Sequence, residues 1–139
     1  MHQSTATREL VLQFLYSCDL AKMNLFIPGI WRQFVESFKT RKISARKARL
    51  YIKTIFDHTA DIDAMIIPYL KEGWDINRIS RVDLILIRIF VAENYIFHTP
   101  KNVIFNEIIN IAKKYGGEES SKFVNGICQE IDLNEIRVS

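Results

Sequence analysis

Residues 80–97, with the sequence SRVDLILIRIFVAENYIF, predict one helix that is apolar on almost every side. After Asp83, three polar residues interrupt its apolar run, namely Arg88, Glu93 and Asn94. A helix of this kind is buried by its neighbours. Ser80 and Asp83 have the spacing of a capping box, with an acid one carbon shorter than the usual Glu. The segment therefore predicts the central helix of a helical bundle.

Two further helices are predicted after this segment. Thr99 is an expected N-cap, and Pro100 follows at the first helical position, where its fixed φ is compatible with a helix. Gly116 and Gly117 end this helix, because glycine readily adopts the left-handed conformation found at helix C-termini. A last helix begins near residues 118–121. It places apolar residues at helical spacing, at Phe123, Val124, Ile127, Cys128 and Ile131.

The first half of the chain also has a helical period. We predict helices over residues 5–20 and about 30–39, after a break at Pro28 and Gly29. A third helix follows an N-cap at Ser44, and a fourth begins at Asp61 and is shortened or kinked by Pro68. The period lapses over residues 73–77. We therefore predict an all-α single domain of about seven helices in two packed sub-bundles, about 1–72 and about 78–139.

Positive charge is concentrated near the N-terminus, although the net charge is only +3. Residues 1–60 carry ten basic and four acidic residues, a balance of +6, whereas residues 61–139 carry nine and twelve, a balance of −3. Such a surface attracts polyanions in a salt-dependent way. The alternative interpretation is that these charges form the solvated face of the third helix. Seven cations and no acid lie in residues 39–53: Lys39, Arg41, Lys42, Arg46, Lys47, Arg49 and Lys53.

The sequence offers no pattern typical of a metal, cofactor or catalytic site. The three histidines are far apart, no phosphate-binding loop is present, and the adjacent Glu118 and Glu119 are explained by helix capping. Cys18 and Cys128 lie among apolar residues, which indicates buried free thiols in a reducing compartment. No apolar run reaches the roughly 18 residues of a membrane span, and there is no signal-peptide pattern. We expect a cytoplasmic protein that is not an enzyme and has no cofactor.

Several short motifs follow one another in a fixed order along the chain, and they resemble those of the NusB family. The resemblance is dense over the last third and sparse between residues 22 and 73. In the last third the matching elements are Pro100, Asn106-Glu107, Ala112 to Gly116 (AKKYG) and Ser120 to Gly126 (SSKFVNG). Upstream they are Arg8-Glu9, Gln13 to Tyr16 (QFLY), Trp74, Arg78, Val82-Asp83 and Ile87-Arg88.

The resemblance implies an all-α fold and a role in transcription antitermination. Members of the family bind the boxA element of ribosomal-RNA-type transcripts jointly with NusE, which is also a small-subunit ribosomal protein. The pair helps convert RNA polymerase into a termination-resistant complex. A similar domain precedes the catalytic domain of an rRNA cytosine methyltransferase, but we expect no such catalytic domain in 139 residues.

Four residues are expected to bind single-stranded RNA through charge and ring stacking. Lys122 and Phe123 combine a cation and a ring near the amide donors of a helix N-terminus, although the spacing of Phe123 equally fits the core. Arg8 and Tyr16 are eight residues apart on the first helix and are expected on roughly the same face. Surface charge and a half-buried ring are the alternative interpretation of that pair.

Two carboxylates match family positions linked to partner or RNA contacts. Since carboxylates repel phosphate, they are expected to bond base edges, NusE groups or local amides. We assign Asp83 to NusE and Glu119 to RNA. Lys47 and Lys53, in the basic run, are possible auxiliary RNA contacts.

The sequence departs from the family where phosphate contacts are expected. The often arginine-rich N-terminus reads HQSTATR, with Arg8 as its one certain cation, and Asn102 stands where a lysine is frequent. Each lost phosphate contact lowers the slope of log binding constant against log salt concentration by roughly 0.7 and weakens RNA binding. We therefore hypothesise that NusE carries a larger share of RNA binding. The alternatives are a protein-binding or self-associating scaffold, including a homodimer, with little RNA affinity, and an enzyme of unknown type.

Overall fold

The computed structural model describes residues 5–38 and 42–133. Within these ranges the chain forms helices and no strands, which confirms the predicted all-α class. The six α-helices are α1 (Thr5–Leu20), α2 (Pro28–Glu36), α3 (Lys42–Asp57), α4 (Thr59–Ile66), α5 (Arg81–Phe97) and α6 (Lys101–Glu130). Two short 3-10 helices, Ile67–Tyr69 and Ile76–Arg78, lie between α4 and α5.

Helix α5 is the centre of the fold, as its apolar sequence predicts. It packs against α1, α3, α4 and α6, and all its residues from 83 to 93 except Arg88 are buried. The Arg88 guanidinium makes two hydrogen bonds of 2.8 Å to the Asp63 carboxylate on α4. Arg81 makes an equivalent pair with Asp19 on α1. These two ion pairs attach α5 to the first half of the chain.

Helix α6 changes direction at Gly117, where φ is +81° and ψ is −166°. This combination is restricted to glycine, because a Cβ atom would clash with the neighbouring backbone. The two parts, 101–116 and 118–130, correspond to the last two predicted helices. Counting them separately gives seven α-helices in the described residues, in line with the expected number.

Some predicted helix ends are confirmed and others are wrong. The Ser80 Oγ atom accepts a 3.5 Å hydrogen bond from the Asp83 amide at the start of α5, and α4 gives way to the 3-10 turn that contains Pro68. The predicted N-cap at Ser44 is wrong, since α3 begins at Lys42 and Ser44 is buried inside it. Tertiary packing can enclose a serine within a helix, and the local preference for a cap does not prevent this. The predicted break between the first two helices exists, but it lies before Pro28, which starts α2.

The start of α6 also differs by one residue from the prediction. Pro100 is the N-cap residue of this helix, while the Thr99 carbonyl accepts a hydrogen bond from the Asn94 side chain. Both cysteines are buried free thiols, as predicted. No helix in the described residues has the length and apolarity needed to cross a membrane.

Candidate functional site

A groove with a volume of about 600 Å³ lies between the segment preceding α5 and the second part of α6. One wall is aromatic, because the Trp74 and Phe123 rings stack with centroids 5.9 Å apart and an interplanar angle of 16°. The Trp74 side chain is 50% exposed, whereas Phe123 also packs against the core. The groove is lined by Gly73, Trp74, Asp75, Arg78, Ile79, Ser80, Asp83, Glu119, Ser120 and Phe123.

Two local features of the backbone form this groove. The bend at Gly117 begins a new helical segment, which carries Glu119 and Phe123 to the groove. On the other side, Gly73 has a φ of +84°, and the Asp75 carboxylate accepts a 2.9 Å hydrogen bond from the Asn77 amide. This turn holds Trp74 against Phe123. The segment 73–77, in which the sequence shows no regular period, therefore forms one wall of the groove.

Asp83 contributes a buried acceptor to the groove. Its side chain is 6% exposed, and among the described residues its Oδ1 atom is the one buried side-chain polar atom without a hydrogen-bond partner. Burial raises the pKa of the Asp83 carboxyl, and the neighbouring Ser120 hydroxyl offsets this rise only in part. An unsatisfied buried acceptor costs free energy that a ligand with an N–H or O–H group can recover.

Charged side chains of both signs surround the ring pair. The Lys71 ammonium lies 5.5 Å from the centre of the Trp74 ring, and Arg78, Glu119 and Lys122 are exposed. A ligand with an aromatic face can stack here, while its polar edge meets carboxylates and its anionic groups meet the cations. Nucleotides in a single strand have this combination of groups, since the base supplies the ring and the polar edge and the phosphate supplies the negative charge.

The predicted site residues divide between this groove and other parts of the molecule. Phe123, Glu119 and Asp83 line the groove, and Lys122 is exposed on the same helical segment. Trp74 was not predicted as a site residue, although its place in the matched family motifs and in the segment without a regular period was a signal for one. Tyr16 is 38% exposed.

Tyr16 lies at the same end of the molecule as the groove. It is one turn before Asp19, which pairs with Arg81 at the start of α5. On the same face of α1, the Gln13 side-chain amide donates a 3.0 Å hydrogen bond to the Tyr115 hydroxyl, just before the bend in α6. The exposed side of α1 thus continues toward the groove.

The expectation that Arg8 presents a cation on the surface is contradicted. Arg8 is 0% exposed, and its guanidinium donates hydrogen bonds of 2.7 and 2.8 Å to both carboxylate oxygens of Glu93. The Tyr51 hydroxyl donates a further 2.7 Å hydrogen bond to Glu93. Eight residues on a helix correspond to a rotation of about 80° beyond two full turns, which places Arg8 inward and Tyr16 outward.

The two predicted auxiliary contacts, Lys47 and Lys53, lie on α3. The Lys53 ammonium is 2.8 Å from the Asp57 carboxylate, one turn further along the helix, and Lys47 is half-buried. Lys39 and Arg41 of the same run lie outside the described residues, as does the sequence before Thr5.

Comparisons with known proteins give one consistent result. The family model described as "NusB family" matches residues 5–132. Transcription antitermination protein NusB of Trichlorobacter lovleyi is 37% identical over 126 residues, which cover 90% of this chain and 87% of the relative. The protein of the same name from Geobacter sulfurreducens is 38% identical over 126 residues and 89% of each chain.

Solved structures of the family have the same fold. The T. maritima NusB structure superposes with a TM-score of 0.80 at 32% identity, covering 94% of this chain and 90% of that chain. A chain from the crystal structure of antitermination factors NusB and NusE in complex with dsRNA gives a TM-score of 0.76 at 27% identity, with 90% and 92% covered. With a family model over nearly all the described residues and relatives above 30% identity along most of their length, this chain belongs to the NusB family.

Proposed function

We propose that this protein is a transcription antitermination factor that binds boxA RNA of ribosomal-RNA-type transcripts together with NusE. It acts in the bacterial cytoplasm as a binding protein without catalysis, and supports a termination-resistant RNA polymerase complex. The observation that carries the proposal is the groove with the stacked Trp74 and Phe123 rings beside the unpartnered acceptor of Asp83. The names of the curated relatives and the solved NusB–NusE–RNA assembly support it.

Four residues of the groove and the neighbouring Lys122 have roles that follow from their chemistry. Trp74 and Phe123 stack on bases, since every base has a π-face. Lys122 offers a cation to the phosphates beside them. Glu119 accepts hydrogen bonds from base edges, and Asp83 accepts one from an N–H group of NusE or of a base in the assembled complex.

The exposed ring of Tyr16 extends this RNA surface along α1. Lys47 and Lys53 are auxiliary contacts at most, because Lys53 already pairs with Asp57 and neither lysine has a site aromatic beside it. Arg8 is not part of the proposed RNA surface. The loss of its cation leaves the surface with fewer phosphate contacts than its sequence motif implies, so NusE is expected to carry a larger share of RNA affinity.

The proposal is tested by fluorescence anisotropy with a labelled boxA RNA and a scrambled RNA at two salt concentrations, with and without NusE. We expect boxA to bind more tightly than the scrambled RNA, and NusE to tighten the complex. Equal boxA affinity with and without NusE would refute the larger share assigned to NusE. If neither RNA binds even with NusE present, the antitermination role is wrong and the protein is a scaffold of the same fold.

A further inference from the structure

The outer face of α3 exposes two large aliphatic side chains in line along the helix. Ile43 is 57% exposed and Leu50 is 51% exposed. Seven residues correspond to almost two turns and about 10 Å along the helix axis, so both side chains lie on one stripe. A depression of about 390 Å³ lies along this stripe. Its walls are formed by Ile43, Arg46, Lys47, Arg49 and Leu50.

Positive charges flank the stripe, and no acidic residue occurs between residues 42 and 56. None of Lys42, Arg46 and Lys47 forms an ion pair with an acidic side chain in the described parts of the chain. Arg49 is held in place differently, since its guanidinium lies 5.1 Å from the centre of the Phe26 ring. The face therefore combines an aliphatic centre with cations that form no ion pair with the described acidic side chains.

We infer that this face binds an acidic amphipathic α-helix of a partner protein. Two apolar residues seven positions apart on such a helix would cover Ile43 and Leu50. Acidic residues beside them would meet Arg46 and Lys47. Apolar burial at the centre and opposite charges at the edges are how helices are recognised in grooves.

The chemistry of the face favours this partner over RNA. A strand of RNA uses rings that stack on its bases, but on α3 the Tyr51 ring is 0% exposed and Phe56 is half-buried against Phe26. Phosphates would use the cations and leave Ile43 and Leu50 in water. A second copy of this chain is also disfavoured, because two such faces would bring cations against cations.

The test uses the whole protein and a fluorescein-labelled peptide of about 20 residues, a length at which a good helix former is helical. The peptide has leucines at heptad spacing and glutamates beside them. Its control has the same composition in an order without an apolar stripe. We expect the amphipathic peptide to bind about tenfold more tightly than its control, because only it can bury the aliphatic stripe.

Matched variants identify the face. The double variant Ile43→Ser, Leu50→Ser removes the aliphatic stripe without changing charge, and we expect it to weaken peptide binding about tenfold. Ile67→Ser is the control, because Ile67 is 50% exposed at the end of α4 and lies outside the stripe. The double variant Arg46→Glu, Lys47→Glu tests the charges and is also expected to weaken binding. All three variants change exposed or half-exposed side chains, so unchanged thermal unfolding checks that they fold.

Three results would overturn the inference. Equal affinity for the two peptides would mean that the face attracts negative charge and does not recognise the apolar stripe of the peptide. Unchanged affinity of the Ile43→Ser, Leu50→Ser variant would place the peptide elsewhere. If that variant lost affinity for a single-stranded RNA as strongly as for the peptide, the face would be an RNA contact and not a protein-docking site.

Discussion

At the scale of single residues, truncating either of the two stacked rings, Trp74 or Phe123, affects folding and binding to different degrees. Phe123 packs against the core, so its truncation changes folding as well as binding. Trp74 is half exposed and isolates the binding role. We expect Trp74→Ala to lower boxA affinity by roughly 5- to 150-fold, because one base–ring stack contributes about 1–3 kcal/mol.

The measurement is RNA anisotropy in the presence of NusE, with Tyr95→Ala as the matched control. Tyr95 is a 40% exposed aromatic on α5, ~18 Å along the helix from Asp83. Its loss is expected to leave RNA affinity unchanged. Similar losses in both variants would contradict a specific role for the Trp74 ring.

The Asp83 carboxylate is expected to lower the free energy of unfolding and to strengthen RNA binding in the presence of NusE. Because burial raises its pKa above the ordinary 3.8, the folded protein holds the proton more tightly than the unfolded chain does. The free energy of unfolding therefore falls as pH rises from about 4 through the raised pKa. We expect Asp83→Asn to raise Tm at pH 7 by on the order of a few degrees, and the difference to shrink toward pH 4.

The same variant is expected to weaken RNA binding in the presence of NusE by about tenfold, since a charged acceptor makes a stronger hydrogen bond than an amide oxygen. Thermal unfolding at two pH values and anisotropy separate the two effects. A variant that is more stable and binds equally well would show that Asp83 contacts neither RNA nor NusE.

At the scale of helices, the bend at Gly117 places Glu119 and Phe123 in the groove. Gly117→Ala forces a Cβ atom into a backbone conformation restricted to glycine, which costs about 1–3 kcal/mol. We expect a lower free energy of unfolding in urea and weaker RNA binding, because the second part of α6 shifts to relieve the strain.

Gly126→Ala is the control on the same helix. An added Cβ at Gly126 meets no atom within 4 Å, so alanine there is expected to stabilise the helix by about 0.5–1 kcal/mol. Gly116→Ala is a harsher change, since its Cβ would overlap the Ser120 side chain. If Gly117→Ala were as stable as Gly126→Ala, the bend would not depend on glycine.

Local signals in the sequence predicted most of the helices. Ser80 caps α5 and Gly117 divides α6, because both act through the backbone of their own neighbours. The prediction of an N-cap at Ser44 was wrong, because the preference of serine for a cap position is weak and packing elsewhere in the protein can override it. The interior of the protein encloses Ser44 in α3, and this could not be read from its neighbours in the sequence.

At the scale of the whole molecule, Arg8, Glu93 and Tyr51 join α1, α5 and α3 through a buried network. Removing one partner leaves a buried charge without compensation, so we expect Arg8→Ala to lower the free energy of unfolding by about 3–5 kcal/mol. The triple replacement Arg8→Met, Glu93→Leu, Tyr51→Phe removes the whole network and is expected to recover much of that loss.

Urea unfolding measures both effects, with Lys53→Ala as the control. Lys53 and Asp57 form an exposed pair on α3, and such a pair contributes at most about 1 kcal/mol. A small effect of Arg8→Ala, comparable to that of Lys53→Ala, would mean that Arg8 is hydrated and that its role on the RNA surface should be reconsidered.

The sequence by itself determined the helical class, the buried central helix and the break in α6, because apolar period, capping and glycine act over a few neighbouring residues. Its motifs also indicated Phe123, Glu119 and Asp83 as site residues. Only the tertiary structure decided that Arg8 faces inward and that Trp74 stacks on Phe123. Both depend on partners far away in the chain, Glu93 for Arg8 and the bent α6 for Trp74, and spacing along one helix carries no information about them.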